Sequence, residues 1–238
     1  MSNVSKIREI KENKLHFGNT IRRWNPYMES FIYKKSEKIY ILSWKKIINS
    51  LRKVNDYIRK ILVDEKRTIL FLSTSKEAKD IMKEKALECN MPFLINKWKG
   101  GFLTNFSIIR KKIKELKKLI LMTQSKEFDN YNKKEQILLK KKKEKLFKIY
   151  EGVINFEQSP ELLALFIVGL EKEKNALKEA KIMKIPVIAI CNTNCDPRFI
   201  DYIIPGNDRK KKSINFLVNV VSDNIKKVND EIKHLQNT

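Results

Sequence analysis

The stretch LALFIVGLEKEKNALKEAKIMKIPVIAICNTNCDP, Leu163–Pro197, decides the fold. Leu163–Val168 is an unbroken apolar run of strand length, and Pro186–Ile190 is another. Between them, residues 171–183 read as a helix. A strand without polar alternation is buried on both faces, as in a parallel sheet covered by helices. The pattern recurs outward from this unit. Residues 45–63 place Ile47, Ile48, Leu51, Val54, Ile58, Ile61 and Leu62 at helical spacing. Thr68–Leu72 is a short strand, and Ser73-Thr74-Ser75 is set to cap a helix over 75–89, with Glu77 in its first turn. Pro92–Ile95 and Tyr202–Ile204 are further strands. A last helix spans Lys211 to Ile232, with Ile214, Leu217, Val218, Val221 and Ile225 on one face. Five apolar strands alternating with helices predict an α/β fold. The expected form is a Rossmann-like, flavodoxin-like five-stranded parallel sheet with helices on both faces.

Thr104 to Val153 carries no strand pattern. Phe106, Ile109, Ile113, Leu116 and Ile120 are separated by 3, 4, 3 and 4 residues, a heptad seam. Turn formers Asp129-Asn130 lie in a break over Ser125–Asn132. Leu139, Leu146, Ile149 and Val153 supply the return seam, with Lys142 interrupting it. An inserted antiparallel coiled-coil helical hairpin over 105–153 is expected, with residues 1–104 and 154–238 forming the α/β body. Ser107–Glu151 holds 15 Lys/Arg against 6 Asp/Glu, and Lys140–Lys143 is unbroken. Charged faces on coiled coils are commonly just solvated, but this sign bias points to a polyanion.

The whole chain shares the bias. Its 238 residues hold 51 Lys+Arg and 28 Asp+Glu, a net charge of +23, beside 42% hydrophobic residues. Enough apolar material is present for a core, which argues against disorder. The longest apolar stretch, Leu162–Leu170, has nine residues. A spanning helix needs roughly 20, so a soluble chain with no membrane partner is expected. A folded body this basic repels itself until a polyanion neutralises it, and nucleic acid is the natural one. Cys89, Cys191 and Cys195 are an odd set that suits a reducing interior. Cys191 and Cys195 stand in C-x3-C spacing without a second Cys/His pair, and neither His16 nor His234 completes a ligand set, so no metal is expected. Met1–Asn13 is polar, with no secretory or transit character, so the chain is expected to work where it is made. Among the basic residues 42 are Lys and 9 Arg, and 31 Ile and 21 Asn add to the skew. That bias fits an AT-rich genome and favours an organelle-encoded, plastid-type chain over one from the bacterial cytoplasm.

Enzyme machinery is sparse. The first strand is followed by Ser73-Thr74-Ser75-Lys76, without the glycines that let a backbone approach a pyrophosphate. No G-x4-G-K-[ST] or G-x-S-x-G pattern occurs, and Gly100-Gly101 is the one glycine pair. No cofactor, small-molecule substrate or catalysis is expected. Four segments instead mix polar, aromatic and basic residues: His16–Pro26, Asn96–Phe106, Asn192–Pro197 and Ile204–Ser213. Arg and Lys suit phosphate, Asn and Thr suit sugar and base edges, and aromatics stack on unpaired bases. Core packing accounts for Trp24 and Trp98 equally well. Turn chemistry accounts for Asn192–Pro197 and Pro205–Asn207, and Asn207-Asp208 also suits a cap on the last helix.

Taken together, in this order, the four segments resemble the universal small-subunit ribosomal protein two family of the bacterial and organellar type. The resemblance lies in His16–Met28, Lys97–Phe106, Cys191–Pro197 and Pro205–Asp208, and it spans Leu15 to Asn224. It implies a Rossmann-like body with a protruding coiled-coil hairpin and no catalysis. It also implies binding of small-subunit ribosomal RNA near the head–body junction, late in assembly, beside neighbouring ribosomal proteins. In bacteria the family helps recruit a large messenger-binding ribosomal protein. Asn19 replaces the family's second histidine, Lys97 its leading arginine, and Arg209 an acid of the last motif. Gly169 and Cys191 stand where relatives carry aspartate, which weakens any cation site there. On this reading Arg22, Arg23, Lys97, Lys99, Arg209, Lys210, Lys211 and Lys212 contact phosphate. Trp24 and Trp98 stack, while Asn25, Asn105 and Asn207 order loops or touch RNA. A protein-recruiting scaffold and a nucleotide-using α/β enzyme are the alternatives.

Overall fold

A computed structural model describes residues 3–125, 128, 130–156 and 159–236. Its centre is an all-parallel sheet of β4 (Thr68–Leu72), β5 (Phe93–Leu94), β6 (Leu163–Val168), β7 (Val187–Cys191) and β8 (Tyr202–Pro205), in the order β5-β4-β6-β7-β8. Leu70 lies beside Leu165, Phe166 beside Ile188, and Ile190 beside Ile204. This is the expected five-stranded α/β sheet with the flavodoxin-like strand order.

Strand side chains alternate between two cores. Ile69, Phe71, Phe166 and Val168 point to one, closed by α2 (Trp44–Val63), α3 (Lys79–Glu88) and α7 (Lys211–Gln236). The Phe71 and Phe166 rings meet edge to face at 5.1 Å. Leu70, Leu72, Leu165 and Ile167 point to the other, closed by α6 (Lys174–Ile182) and by the roots of α4 (Phe106–Gln124) and α5 (Lys133–Tyr150). No described helix is long and apolar enough to cross a membrane.

The helix over 75–89 begins later than expected, at Lys79, and Ser73–Ser75 do not cap it. Ser73 and Ser75 share a hydroxyl–hydroxyl hydrogen bond of 3.1 Å, and Thr74 is held by Glu173 through its N–H and its hydroxyl. With their side chains committed elsewhere, the helix starts where Ala78 and Lys79 N–H reach the Ser75 carbonyl. The 171–183 helix likewise starts at Lys174, after a turn closed by Lys172 on Gly169 and Glu173 on Leu170.

The helical pair behaves differently from the periodicity in one respect. Along α5 the partly or fully buried positions include Leu139, Lys143, Leu146 and Tyr150, followed by Val153. Lys143, not Lys142, therefore sits in the seam, and its ammonium donates to Thr123 Oγ1 at 3.1 Å. Lys142 is exposed and pairs across with Glu115. Part of the expected turn, Lys126, Glu127 and Asp129, lies outside the described residues. An N-terminal helix α1 (Asn3–Glu12) and an antiparallel sheet of β1 (Phe17–Thr20), β2 (Ile32–Lys35) and β3 (Ile39–Leu42), ordered β1-β3-β2, were not foreshadowed by the periodicity. Their strands are four residues long, too short for alternation to register.

Gly152 closes the root of the hairpin against β5. A Cβ there would lie 2.2 Å from the Phe93 carbonyl oxygen. Gly152→Ala is expected to destabilise the chain by about 1–3 kcal/mol, as overpacking of a filled core does. Urea unfolding monitored by circular dichroism measures it, and an unchanged midpoint would contradict the packing.

Candidate nucleic-acid interface

Parallel strands send every following loop to the same, carboxyl, edge. Segments 95–105, 192–201 and 206–210 follow β5, β7 and β8, so three of the four mixed segments gather there by topology alone. The first is tied in by hydrogen bonds. Asn19 N–H donates to Thr193 Oγ1 at 2.8 Å, and Asn25 N–H to the Thr193 carbonyl at 2.7 Å. Gly18 makes this approach possible, since a Cβ would sit 2.6 Å from Thr193 Cγ2.

Within this edge, Asn192 Nδ2 donates to Asp208 Oδ1 at 2.9 Å and so locks the third segment to the fourth. Burial pushes the Asp208 carboxyl up. Asn207 Oδ1 accepts the N–H groups of Arg209 and Lys210, at 3.0 and 3.3 Å, just ahead of α7. That turn leaves Arg209, Lys210, Lys211 and Lys212 exposed at the helix start, with Lys210 Nζ 5.6 Å above the Phe17 ring. A helix N-terminus with free cations is a ready anion site. Arg22 and Arg23 are exposed as well. Trp24 is half-buried against Tyr40, ring centroids 5.1 Å apart, and Asn25 Oδ1 accepts from Tyr27 N–H.

The second segment is organised by a residue outside all four segments. Glu179 of α6 is buried, and its carboxylate accepts N–H donors from Trp98 Nε1, Gly101 and Leu103, each at 2.9 Å. Trp98 thus turns its indole N–H inward and rests its ring on Phe102 at 5.0 Å. Lys97 stays exposed and Lys99 half-buried. Asn105 Oδ1 accepts from the Ser107 hydroxyl and its N–H donates to the Gly101 carbonyl. The spacing of Ala176, Glu179 and Ala180 did carry a signal, because these positions share one helical face.

A second buried acid fills the crevice between the ends of β4 and β6, the switch point of this topology. Glu173 Oε1 accepts from Thr74 N–H at 2.8 Å and from the Thr74 hydroxyl, and burial raises its carboxyl. An internal carboxyl oxygen thus takes the backbone donor that follows the first strand of the sheet. Cys191 and Cys195 are buried thiols, that of Cys191 pushed well up by burial. Among the described residues no three His, Cys, Asp or Glu side chains gather as metal ligands.

A family model described as ribosomal protein S2 matches residues 11–228. The chain belongs to the ribosomal protein S2 family. It is a protein of the small ribosomal subunit, in a structural family whose setting is ribosomal RNA and neighbouring ribosomal proteins. The matched span includes all four segments collected at the carboxyl edge, so the S2 body is also the body that assembles them.

Glu179→Ala would strand three N–H donors of the 98–103 loop. Each orphaned buried donor costs about 1–3 kcal/mol, so a loss of about 3 kcal/mol or more is expected, with red-shifted Trp98 emission. Equal thermal midpoints for variant and parent would rule out this role.

The raised carboxyls give a pH dependence with a defined sign. Glu173 and Asp208 hold their protons more tightly folded than unfolded, so this stabilisation is full below the ordinary carboxylate value of about 4 and is lost as pH rises through their raised folded values. Urea unfolding at a series of pH values should show the parent losing stability, relative to Glu173→Gln/Asp208→Asn, across that window. Parallel curves would refute it.

Proposed function

We propose that the carboxyl edge of the sheet binds small-subunit ribosomal RNA near the head–body junction and so supports assembly of the subunit. The observation that carries this reading is the convergence of four Asn-bearing segments, three of them basic, on one edge of a chain with net charge +23. Arg22, Arg23, Lys97, Lys99 and Arg209–Lys212 contact phosphate, and Trp24 offers a partly exposed ring. Trp98, Asn25, Asn105 and Asn207 serve by fixing the backbone from which those cations project. The mechanism is electrostatic docking on a prefolded scaffold: counterions leave the RNA backbone as the cations replace them. The Lys, Ile and Asn skew supports an organelle-encoded, plastid-type origin.

A second role belongs to the hairpin. Leu121, Ile137, Leu138 and Phe147 are exposed on it by 45–69%, among its lysines. Exposed apolar side chains of this size favour a protein contact over a purely solvated face. The hairpin is proposed as a recruiting arm as well as a basic surface. Ile109, Ile113, Leu116 and Tyr150 belong to the body's core, so removing the whole of 105–153 would unroof the sheet. Replacing residues 120–141 by a short Gly/Ser turn keeps that core and removes only the distal arm.

Binding of a small-subunit RNA transcript over a range of salt tests the main reading. Changing Arg209–Lys212 to alanine should lower the slope of log affinity against log salt by about 3, at about 0.7–0.9 per lost phosphate contact. An unchanged slope would remove that run from the interface.

A further inference from the structure

A cavity between α6 and the first and third segments is built for something more specific than a phosphate backbone. Lys174, Lys178 and Lys181 fall one and two turns apart along α6, on the side away from buried Ala176 and Ala180. With Asn25, Asn194 and Phe199 they line a cavity of about 440 Å3. That volume lies within the roughly 300–1,000 Å3 of small-ligand sites. None of the three lysines pairs with a carboxylate among the described residues. The acids nearby are engaged: Glu171 accepts from Asn194 Nδ2, and Asp196 accepts the Arg198 guanidinium at 2.7 Å. Asn194 Oδ1 is buried without a hydrogen-bond partner among the described residues.

Aromatic rings and cations alternate beside the cavity. Lys181 Nζ stands 4.4 Å above the Phe199 ring, and the Arg198 guanidinium lies 5.9 Å from Phe199 and 4.0 Å from Tyr27. Phe199 and Tyr27 are exposed by 45% and 55%. Open rings flanked by cations are how proteins hold unpaired bases. An exposed cation–π contact is weaker than a base stacked on the same ring, so an arriving base displaces the Lys181 ammonium and leaves it beside the nucleotide's phosphate. The ladder continues past the cavity to Tyr27, which suits a polymer rather than a free mononucleotide.

We propose that this cavity and its ladder take one unpaired nucleotide of an RNA, the base on Phe199 and the phosphate among Lys174, Lys178 and Lys181. The proposal rests on the RNA-binding reading and names the form of RNA this edge selects.

Two RNA stems of equal length test it, one fully paired and one carrying a single bulged 2-aminopurine, each titrated with the full chain at moderate salt. The chain should bind the bulged stem about tenfold more tightly, with quenched 2-aminopurine emission. Phe199→Ala should abolish preference and quench while leaving paired-stem affinity unchanged, and Phe199→Trp should keep both. The Lys174→Gln/Lys178→Gln pair, exposed and independent of Phe199, should reduce the preference on its own. Equal affinity of the parent for the two stems, without quench, overturns the proposal and leaves general RNA binding standing. Failure to bind either stem overturns both.

Discussion

The shared direction of five strands is the constraint on which the rest of this structure depends. Neighbouring parallel strands can be joined along the chain only by crossover connections, and those crossovers cover both faces with helices. The consequence for side chains is two cores, with Leu165 and Ile167 on one side and Phe166 and Val168 on the other. The consequence for loops is that each strand delivers the segment after it to one edge. Segments nearly a hundred residues apart in the chain, Trp98–Leu103 and Asn192–Pro197, are thereby delivered to the same edge of the sheet. The small antiparallel sheet adds the N-terminal segment to that edge through Thr193.

Acids are few in this chain, and the buried ones are placed to serve its cations. Glu179, Glu173 and Asp208 accept from N–H or hydroxyl donors of neighbouring loops, not from lysine. Hydrogen bonds to an ionised acceptor are stronger than neutral ones, and they offset part of the cost of taking a carboxylate out of water. Because the donors are uncharged, the nearby Lys97, Lys99 and Arg209–Lys212 keep their charge for an outside partner. Glu173 also occupies the donor after β4 that a phosphate ligand would use in a related α/β sheet, which fits a scaffold that meets phosphate on its outer loops.

The hairpin and the body are one mechanical piece at their junction. Ile109, Ile113, Leu116, Tyr150 and Val153 cover the sheet face that α6 leaves open. Farther out, Lys142 reaches Glu115, and Lys143 sits in the seam with its ammonium on Thr123. A lysine in that position packs its methylene stem while its charge finds a polar partner. The arm therefore grows from the core rather than hanging from a linker.

Composition and periodicity by themselves determined the fold class, because buried parallel strands leave uninterrupted apolar runs and covering helices leave 3.6-residue stripes. They also determined the sign of the partner, since +23 on a folded body calls for a polyanion. The four mixed segments were legible as loops, and so was their order. Helix starts at Lys79 and Lys174 were not, because Ser73 and Ser75 bond to each other and Thr74 pairs with distant Glu173, contacts that local capping rules ignore. The short strands β1–β3 were not, because four residues carry too little periodicity. Only the tertiary structure decided which segments meet, that Trp98 faces Glu179, and that Lys181, Phe199, Arg198 and Tyr27 form a ladder beside a cavity. The physical reason is that contacts such as Trp98 with Glu179 and Arg198 with Tyr27, 81 and 171 positions apart, follow from strand order and direction, and no local pattern encodes either.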